Sequence, residues 1–323
     1  MPNWNQVLQE IDAYVKANAN DPQRARQAVD LVRRNYLSQL HAHTGRNLIA
    51  YYSGFLSKND IGGLEINDED KNGFMMAVHQ MDRTKGLDLI LHTPGGDIAA
   101  TQSIVDYLHK MFGNNIRAIV PQIAMSAGTM IACSCRSVLM GSHSNLGPID
   151  PHLRGVPCYG VIQEFRRAYR EIKKDPSKSL IWQNVIGQYR PTFLSQCENS
   201  ISWSNAFVRD QLTSIMFVND ENRIDKARRV VRELTNYRGN KTHNRHIHAE
   251  ECKSMGLVVE NLEARGAKAT KLQDLVLTVH HCYMLALMNT GAYKMIENQM
   301  GAAFVKQIQV SPQFVLQQQP PAS

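Results

Sequence analysis

The sequence lacks the marks of several protein classes. Six cysteines (Cys133, Cys135, Cys158, Cys197, Cys252 and Cys282) are scattered through the chain with no CxxC pair. That excludes a zinc ribbon or a dithiol redox motif and reads as free thiols in a reducing compartment. The opening stretch MPNWNQVLQEIDAYVKANAN is polar where a signal peptide needs an apolar core, and no later run reaches membrane-spanning length. A cytoplasmic protein with no membrane contact is expected. No GxGxxG opens a helix after a strand, so nothing marks a dinucleotide-dependent dehydrogenase.

What is present is an ordinary globular composition, 43 % hydrophobic and 20 % charged over 323 residues. A chain of this length buries a core without disulfide or metal staples. The net charge of +7 arises from 36 basic against 29 acidic residues, with Arg and Lys concentrated in 166–178 and 223–245. No zinc-finger spacing, helix-turn-helix signal or RNP-like aromatic motif accompanies them, so they read as solvated helix faces rather than a nucleic-acid surface.

Residues 4–40 carry apolar positions at helical spacing (Val7, Ile11, Tyr14, Val15, then Val29, Val32, Tyr36, Leu40) around a polar turn at 18–22, which predicts an N-terminal helical hairpin over 1–44. From residue 47 short apolar runs at 48–52, 87–91, 116–120 and 138–140 alternate with helical patterns at 70–83, 98–111 and 127–132. Such alternation predicts a parallel sheet built from right-handed crossovers. After Pro157 the pattern is helical almost throughout (159–173, 180–201, 204–217, 223–234, 249–256, 272–287), with a short strand at 257–260. The end, QQQPPAS, is low-complexity, and residues 311–323 are expected to be disordered.

Two strand ends carry chemistry. In LDLILHTPGGDIAATQ a buried strand runs into Thr93-Pro94-Gly95-Gly96-Asp97 and then a helix. Consecutive glycines let the backbone turn sharply and expose N–H groups, which is what an oxyanion requires. Alone this is only a turn. In IRAIVPQIAMSAGTMIACSC the next strand runs into Ser126, flanked by small residues at a helix start. A serine there either caps the helix or presents a nucleophilic hydroxyl in the field of the helix N-terminus. Consecutive crossover units bring such ends side by side at the carboxyl edge of the sheet, where ligands bind.

The stretches HTPGGD, AMSAGTMIA and LGPIDP resemble the serine dehydrogenase proteinase family, relatives of signal peptide peptidase A and Clp protease. The likeness continues through IAYYSGFLS, SLIWQNVIGQYRPTFLSQCENSISWS, NRHIHAEECKSMGL, LQDLVLTVHHC and YKMIENQMGAAFVKQ, over about residues 45–310. The fold it implies is a Clp/crotonase-like α/β superfold of repeated ββα units, with the helical hairpin and a helical C-terminal region added. The implied activity is that of an ATP-independent serine peptidase acting on peptides or unfolded protein. Ser126 would be its nucleophile, with the oxyanion held by backbone N–H groups of Gly95, Gly96 and Ala127. No cofactor and no metal are implied, and a homo-oligomer is expected by analogy.

The base stays open at this stage. Signal peptide peptidase A relatives use a lysine, and Lys178, 52 residues after Ser126 (178 − 126), has the matching placement, followed by Leu180, Ile181 and Trp182 as a desolvated wall. Lys173 and Lys174 are alternatives. Clp proteases use a histidine, for which His143 and His152 are nearest, although neither sits in the Clp motif. Asp150, in LGPIDP, either orients a base or binds a substrate amine, or simply forms an Asp-Pro turn. His246 and His248 alternate around Ile247 with no third ligand nearby, and His280, His281 and Cys282 fall on an amphipathic helix, so neither group predicts a metal. Two other functions compete: a crotonase-type acyl-CoA enzyme using the same N–H pair, and a non-catalytic assembly protein on the same fold.

Overall fold

The computed structural model describes residues 4–58, 60–236 and 245–308, so the expected disordered tail lies outside the described residues. Its centre is a seven-stranded mixed sheet. In chain order, helices α1 (Trp4–Ala17), α2 (Pro22–Arg26) and α3 (Ala28–Thr44) precede β1 (Asn47–Ser53); α4 (Asp70–Val78) leads to β2 (Leu87–His92), and α5 (Ile98–Phe112) to β3 (Ile116–Val120). There follow β4 (Ile123–Ala124), α6 (Ala127–Cys133), β5 (Ser137–Met140), β6 (Asn145–Leu146), β7 (His152–Leu153) and β8 (Val156–Pro157). A helical stretch comprises α7 (Cys158–Lys174), α8 (Ser179–Ile186), α9 (Phe193–Gln211) and α10 (Arg223–Leu234). Last come β9 (Ile247–His248), α11 (Ala249–Met255), β10 (Val259–Asn261), α12 (Ala267–Asn289), β11 (Ala292–Asn298) and β12 (Ala303–Gln307).

The sheet order is β10-β5-β3-β2-β1-β11-β12. Its first five strands are parallel, as the alternation of strands and helices predicts. The purely parallel expectation is corrected by β11 and β12, which add to β1 antiparallel. Two charges hid β11 from a hydrophobic reading: Lys294 and Glu297 lie within AYKMIEN and are fully buried. Their partners come from far along the chain. Arg33 on α3, itself buried, donates from Nε to Glu297 at 2.7 Å, and Lys294 pairs with Asp70 at 3.0 Å.

Each strand feeds two cores, as the two-residue period of a strand dictates. Ile49 and Tyr51 of β1 face a core shared with α4, α5 and α6, whereas Leu48, Ala50 and Tyr52 face one shared with α1, α3 and α12. Val7, Tyr36, Leu37 and Leu40 of the N-terminal helices belong to that second core. The N-terminal helices α1 and α3 therefore form part of one helical layer against the sheet, with the short α2 between them. The helix expected over 180–201 is divided between α8 and α9, because Pro191 forbids its preceding residue the helical conformation. Cys158, Val161, Ile162 and Cys197 form a small third core between α7 and α9. All six thiols are buried and unbridged, and no helix among the described residues is long and apolar enough to cross a membrane.

Candidate active site

The two glycine- and serine-bearing turns are stitched together at the carboxyl end of the parallel sheet. Thr93 N–H donates to Ile123 O at 3.1 Å, and Met125 N–H donates to Thr93 O at 3.0 Å, so the segments after β2 and β3 run alongside each other. On the far side of the Gly95-Gly96 turn lies the extended segment Glu65-Ile66. Ile66 N–H donates to Gly95 O at 2.8 Å, and Asp97 N–H donates to Ile66 O at 2.9 Å. Asp97 then caps α5 through its side chain, which accepts from Ala100 N–H at 2.8 Å.

Both glycines are forced by space. A Cβ on Gly96 would lie 2.3 Å from Ile66 N, inside the backbone of the flanking segment. Gly95 has φ +104°, and a Cβ there would lie 2.7 Å from the Cβ of Ser126. Only the absence of a side chain at 95 lets the turn lie against the serine.

Ser126 sits at φ +49°, ψ −112°, a region that L-residues other than glycine rarely occupy. Such strain persists only where surrounding structure holds it, and it clusters at functional sites. The serine stands at the N-cap position of α6 yet makes no side-chain cap bond. The capping role that composition allowed is therefore not what this hydroxyl performs. Ser126 instead lines a cavity of about 300 Å³ together with Gly95, Gly96, Ile98, Met130 and Trp203.

Of the three residues expected to supply the oxyanion hole, Gly95 has its N–H engaged by Thr93 Oγ1 at 3.2 Å. The Gly96 and Ala127 N–H groups have no acceptor among the described residues. Gly95 contributes room and Gly96 and Ala127 contribute the unclaimed donors, a division that spacing alone does not reveal.

The loop after β6 forms another wall through Ile149, Pro151 and His152. His152 is exposed, and its Nδ1 lies 3.1 Å from Asp150 O. A carbonyl only accepts, so Nδ1 is the donor in that contact. Asp150 is buried, and neither carboxyl oxygen makes a hydrogen bond of ordinary geometry. Burial pushes its carboxyl up to about 6, with His152 and the Tyr159 backbone N–H pulling the other way.

The candidate lysines lie elsewhere. Lys178 does not line this cavity; its Nζ is 3.4 Å from Glu171 Oε2, and its side chain is 45 % exposed. The expected desolvated wall is corrected: Leu180 and Ile181 are 71 % and 66 % exposed, while the buried Trp182 donates from its indole N–H to Glu171. The helix turns Leu180 and Ile181 outward, because only Trp182 among the three faces α7. Lys173 and Lys174 are exposed in the last turn of α7. His143 lies 3.6 Å from Glu263 and lines no part of the cavity. His248 pairs through β9 with β6, and no three His, Cys, Asp or Glu side chains among the described residues are grouped to hold a metal ion.

Sequence reading missed the wall contributed by α9. Ser200, Trp203 and Ser204 line the cavity, Trp203 Nε1 donates to Gln102 Oε1 at 2.9 Å, and Ser204 Oγ donates to Ile149 O at 3.3 Å. Serines at 200 and 204 share one helix face, and that spacing was the available signal. His92 was also missed. It ends β2 beneath the glycine turn, fully buried among Tyr52, Phe55 and His280.

The chain is 30 % identical over 195 residues to one uncharacterized protein of Methanocaldococcus jannaschii and 26 % identical over 194 residues to another, each match covering 60 % of this chain. It spans 60 % and 59 % of the lengths of those two relatives. The family model for ClpP-like SDH-type serine proteinases matches residues 21–268, enclosing both turns, the loop after β6 and the cavity, and the chain belongs to that family.

Proposed function

We propose that this chain hydrolyses peptide bonds through an acyl-enzyme on Ser126, without metal, cofactor or ATP. One observation carries the reading: a serine in a strained conformation, its hydroxyl unused for capping, faces a cavity between two turns that present the unclaimed N–H groups of Gly96 and Ala127. Ser126 Oγ attacks the substrate carbonyl carbon while its proton passes to a base. The carbonyl oxygen takes the negative charge and accepts from Gly96 and Ala127 N–H. Collapse breaks the C–N bond as the base returns its proton to the leaving amine, and water then releases the acyl group by the same steps. The apolar side chains of Ile98, Met130, Ile149, Leu153 and Trp203 suit an apolar residue of an extended peptide or unfolded protein.

The base favoured by this geometry is His152, which borders the same cavity and is held through Nδ1 at Asp150 O, with the Asp150 carboxyl buried behind it. Lys178 remains the alternative implied by family placement. An ammonium paired with Glu171 has no lone pair to accept a proton, so that assignment requires the pair to part. The exposed Leu180 and Ile181 offer apolar surface to a second copy of the chain, in keeping with a homo-oligomer. A crotonase-type reading would use the same donors but leaves the serine and its strain without a role.

A fluorophosphonate probe followed by mass analysis tests the nucleophile, with adduct expected on Ser126 and none in Ser126→Ala. Hydrolysis of a peptide ester should fall by several orders of magnitude in Ser126→Ala. Activity above about a tenth of wild type would remove Ser126 from the mechanism. Loss in His152→Gln with activity kept in Lys178→Arg supports histidine, and the reverse pattern assigns the lysine.

A further inference from the structure

The buried Lys294–Asp70 pair lies directly behind the glycine turn. Both side chains are fully buried, with Lys294 Nζ 3.0 Å from each carboxyl oxygen of Asp70. Asp70 also accepts from Tyr51 Oη at 2.8 Å and from Asn67 N–H at 3.1 Å, and Lys306 approaches to 3.9 Å while pairing with the exposed Glu69. A buried ion pair gives weak stabilisation relative to apolar packing, so its presence calls for another reason. The third hydrogen bond of Lys294 supplies one: Nζ donates to Glu65 O at 2.7 Å.

Glu65 C=O and Ile66 N–H belong to one peptide group, and Ile66 N–H donates to Gly95 O at 2.8 Å. Gly95 C=O and Gly96 N–H in turn belong to one peptide group, whose N–H is an unclaimed donor beside Ser126. The ammonium thus begins a chain that crosses two peptide planes and ends at the proposed oxyanion donor. Hydrogen bonds in such chains polarise one another, and a charge at the head strengthens each donor after it.

We propose that Lys294 is a positioning residue that orients and polarises the Gly96 N–H through the Glu65–Ile66 and Gly95–Gly96 peptides. The proposal rests on the reading of Ser126 and Gly96 given above. Asp70 allows the ammonium to be buried, and Tyr51 and Asn67 fix Asp70. The charge acts on the transition state rather than on bound substrate, because only the transition state carries the oxyanion.

The test is the double variant Lys294→Met/Asp70→Asn, which removes both charges together and leaves neither uncompensated. Losing an oxyanion donor outright costs about 10²–10³ in kcat. With the donor kept but loosened and depolarised, kcat per fluorophosphonate-titrated site is expected to fall about tenfold, KM to stay within about threefold, and affinity for a peptide boronate to weaken in step with kcat. A merely structural role would lower the titrated fraction and leave kcat per site unchanged. Lys294→Gln/Asp70→Asn, whose amide still reaches towards Glu65 O, is expected to lose less. Tyr51→Phe keeps the charge and is expected to hold kcat within about twofold.

A folded double variant with kcat per site within twofold of wild type would overturn the proposal. So would an equal kcat loss in Tyr51→Phe, or failure of both double variants to fold, since Lys294 would then serve the fold alone. Labelled Ser126 with unchanged variant kcat defeats this proposal only; absence of labelling at Ser126 in the wild type defeats the reading beneath it as well.

Discussion

Replacing Gly95 with alanine adds one methyl group at the place where the turn touches the serine. Its Cβ would stand 2.7 Å from Ser126 Cβ, 2.8 Å from Met125 O and 3.1 Å from Ala127 N. None of these is the end of a flexible side chain, so the strain cannot be relieved by a rotamer change. Reaching the 3.4 Å of ordinary contact requires Ser126 and the turn to separate by about 0.7 Å (3.4 − 2.7). Misplacing a reacting group by about 1 Å costs on the order of 10²-fold in rate, so kcat/KM for a peptide ester is expected to fall about a hundredfold. The positive φ adds a separate stability cost of about 1–2 kcal/mol, because alanine tolerates this region poorly. Gly113→Ala separates the two effects: Gly113 has φ +57° but nothing within 4 Å of an added Cβ, and it lies far from the cavity along the chain, at the end of α5. Both variants are expected to lose stability in denaturant melts, Gly95→Ala the more because of its added clash, while only Gly95→Ala loses fluorophosphonate labelling rate and turnover. A Gly95→Ala protein with turnover within threefold of wild type would refute the packing of turn against nucleophile.

Burial pushes His92 down to about 3 and His280 in the same direction, with His281 and His143 the other imidazoles nearby. Their folded values lie below the unfolded one, so protons bind the unfolded chain first. Stability is present above pH about 6.5 and is lost as pH falls, by about 1.4 kcal/mol per pH unit for each histidine. Urea melts of His92→Phe between pH 6 and 4.5 are expected to show a pH slope shallower by that amount, and an unchanged slope would contradict neutral burial. Dialysis against a strong chelator is expected to leave hydrolysis intact, whereas a loss restored by zinc would show that the histidines at 246 and 248 were misread.

The parallel strands and their helices were legible because apolar runs of 3–5 residues alternate with longer helical patterns across turns, and the two turns could be placed from their small residues alone. β11 was not legible, because its ion-paired Lys294 and Glu297 look like surface residues until Asp70 and Arg33 are seen beside them. The surroundings of Lys178 were not legible for a related reason. Lys178 was chosen by its distance along the chain, but whether a lysine is desolvated depends on which way Leu180 and Ile181 face, and an eight-residue helix with apolar residues on several sides does not announce that.

The small core of Cys158, Val161, Ile162 and Cys197 gives the helical arm of α7, α8 and the first half of α9 an energetic identity apart from the sheet. Cooperative units with fewer buried contacts open at lower free energy than the whole molecule. Amides in α7 and α8 are therefore expected to exchange hydrogen through a sub-global fluctuation, and those of β1 to β3 only through complete unfolding. Ser200, Trp203 and Ser204 stand where this arm ends, because Phe207 and Val208 further along α9 are buried in the core shared with the sheet and α6. Under the proposed function, sequence change in the arm is expected to alter which peptides bind without loosening the bonds that hold the serine in its strained pose.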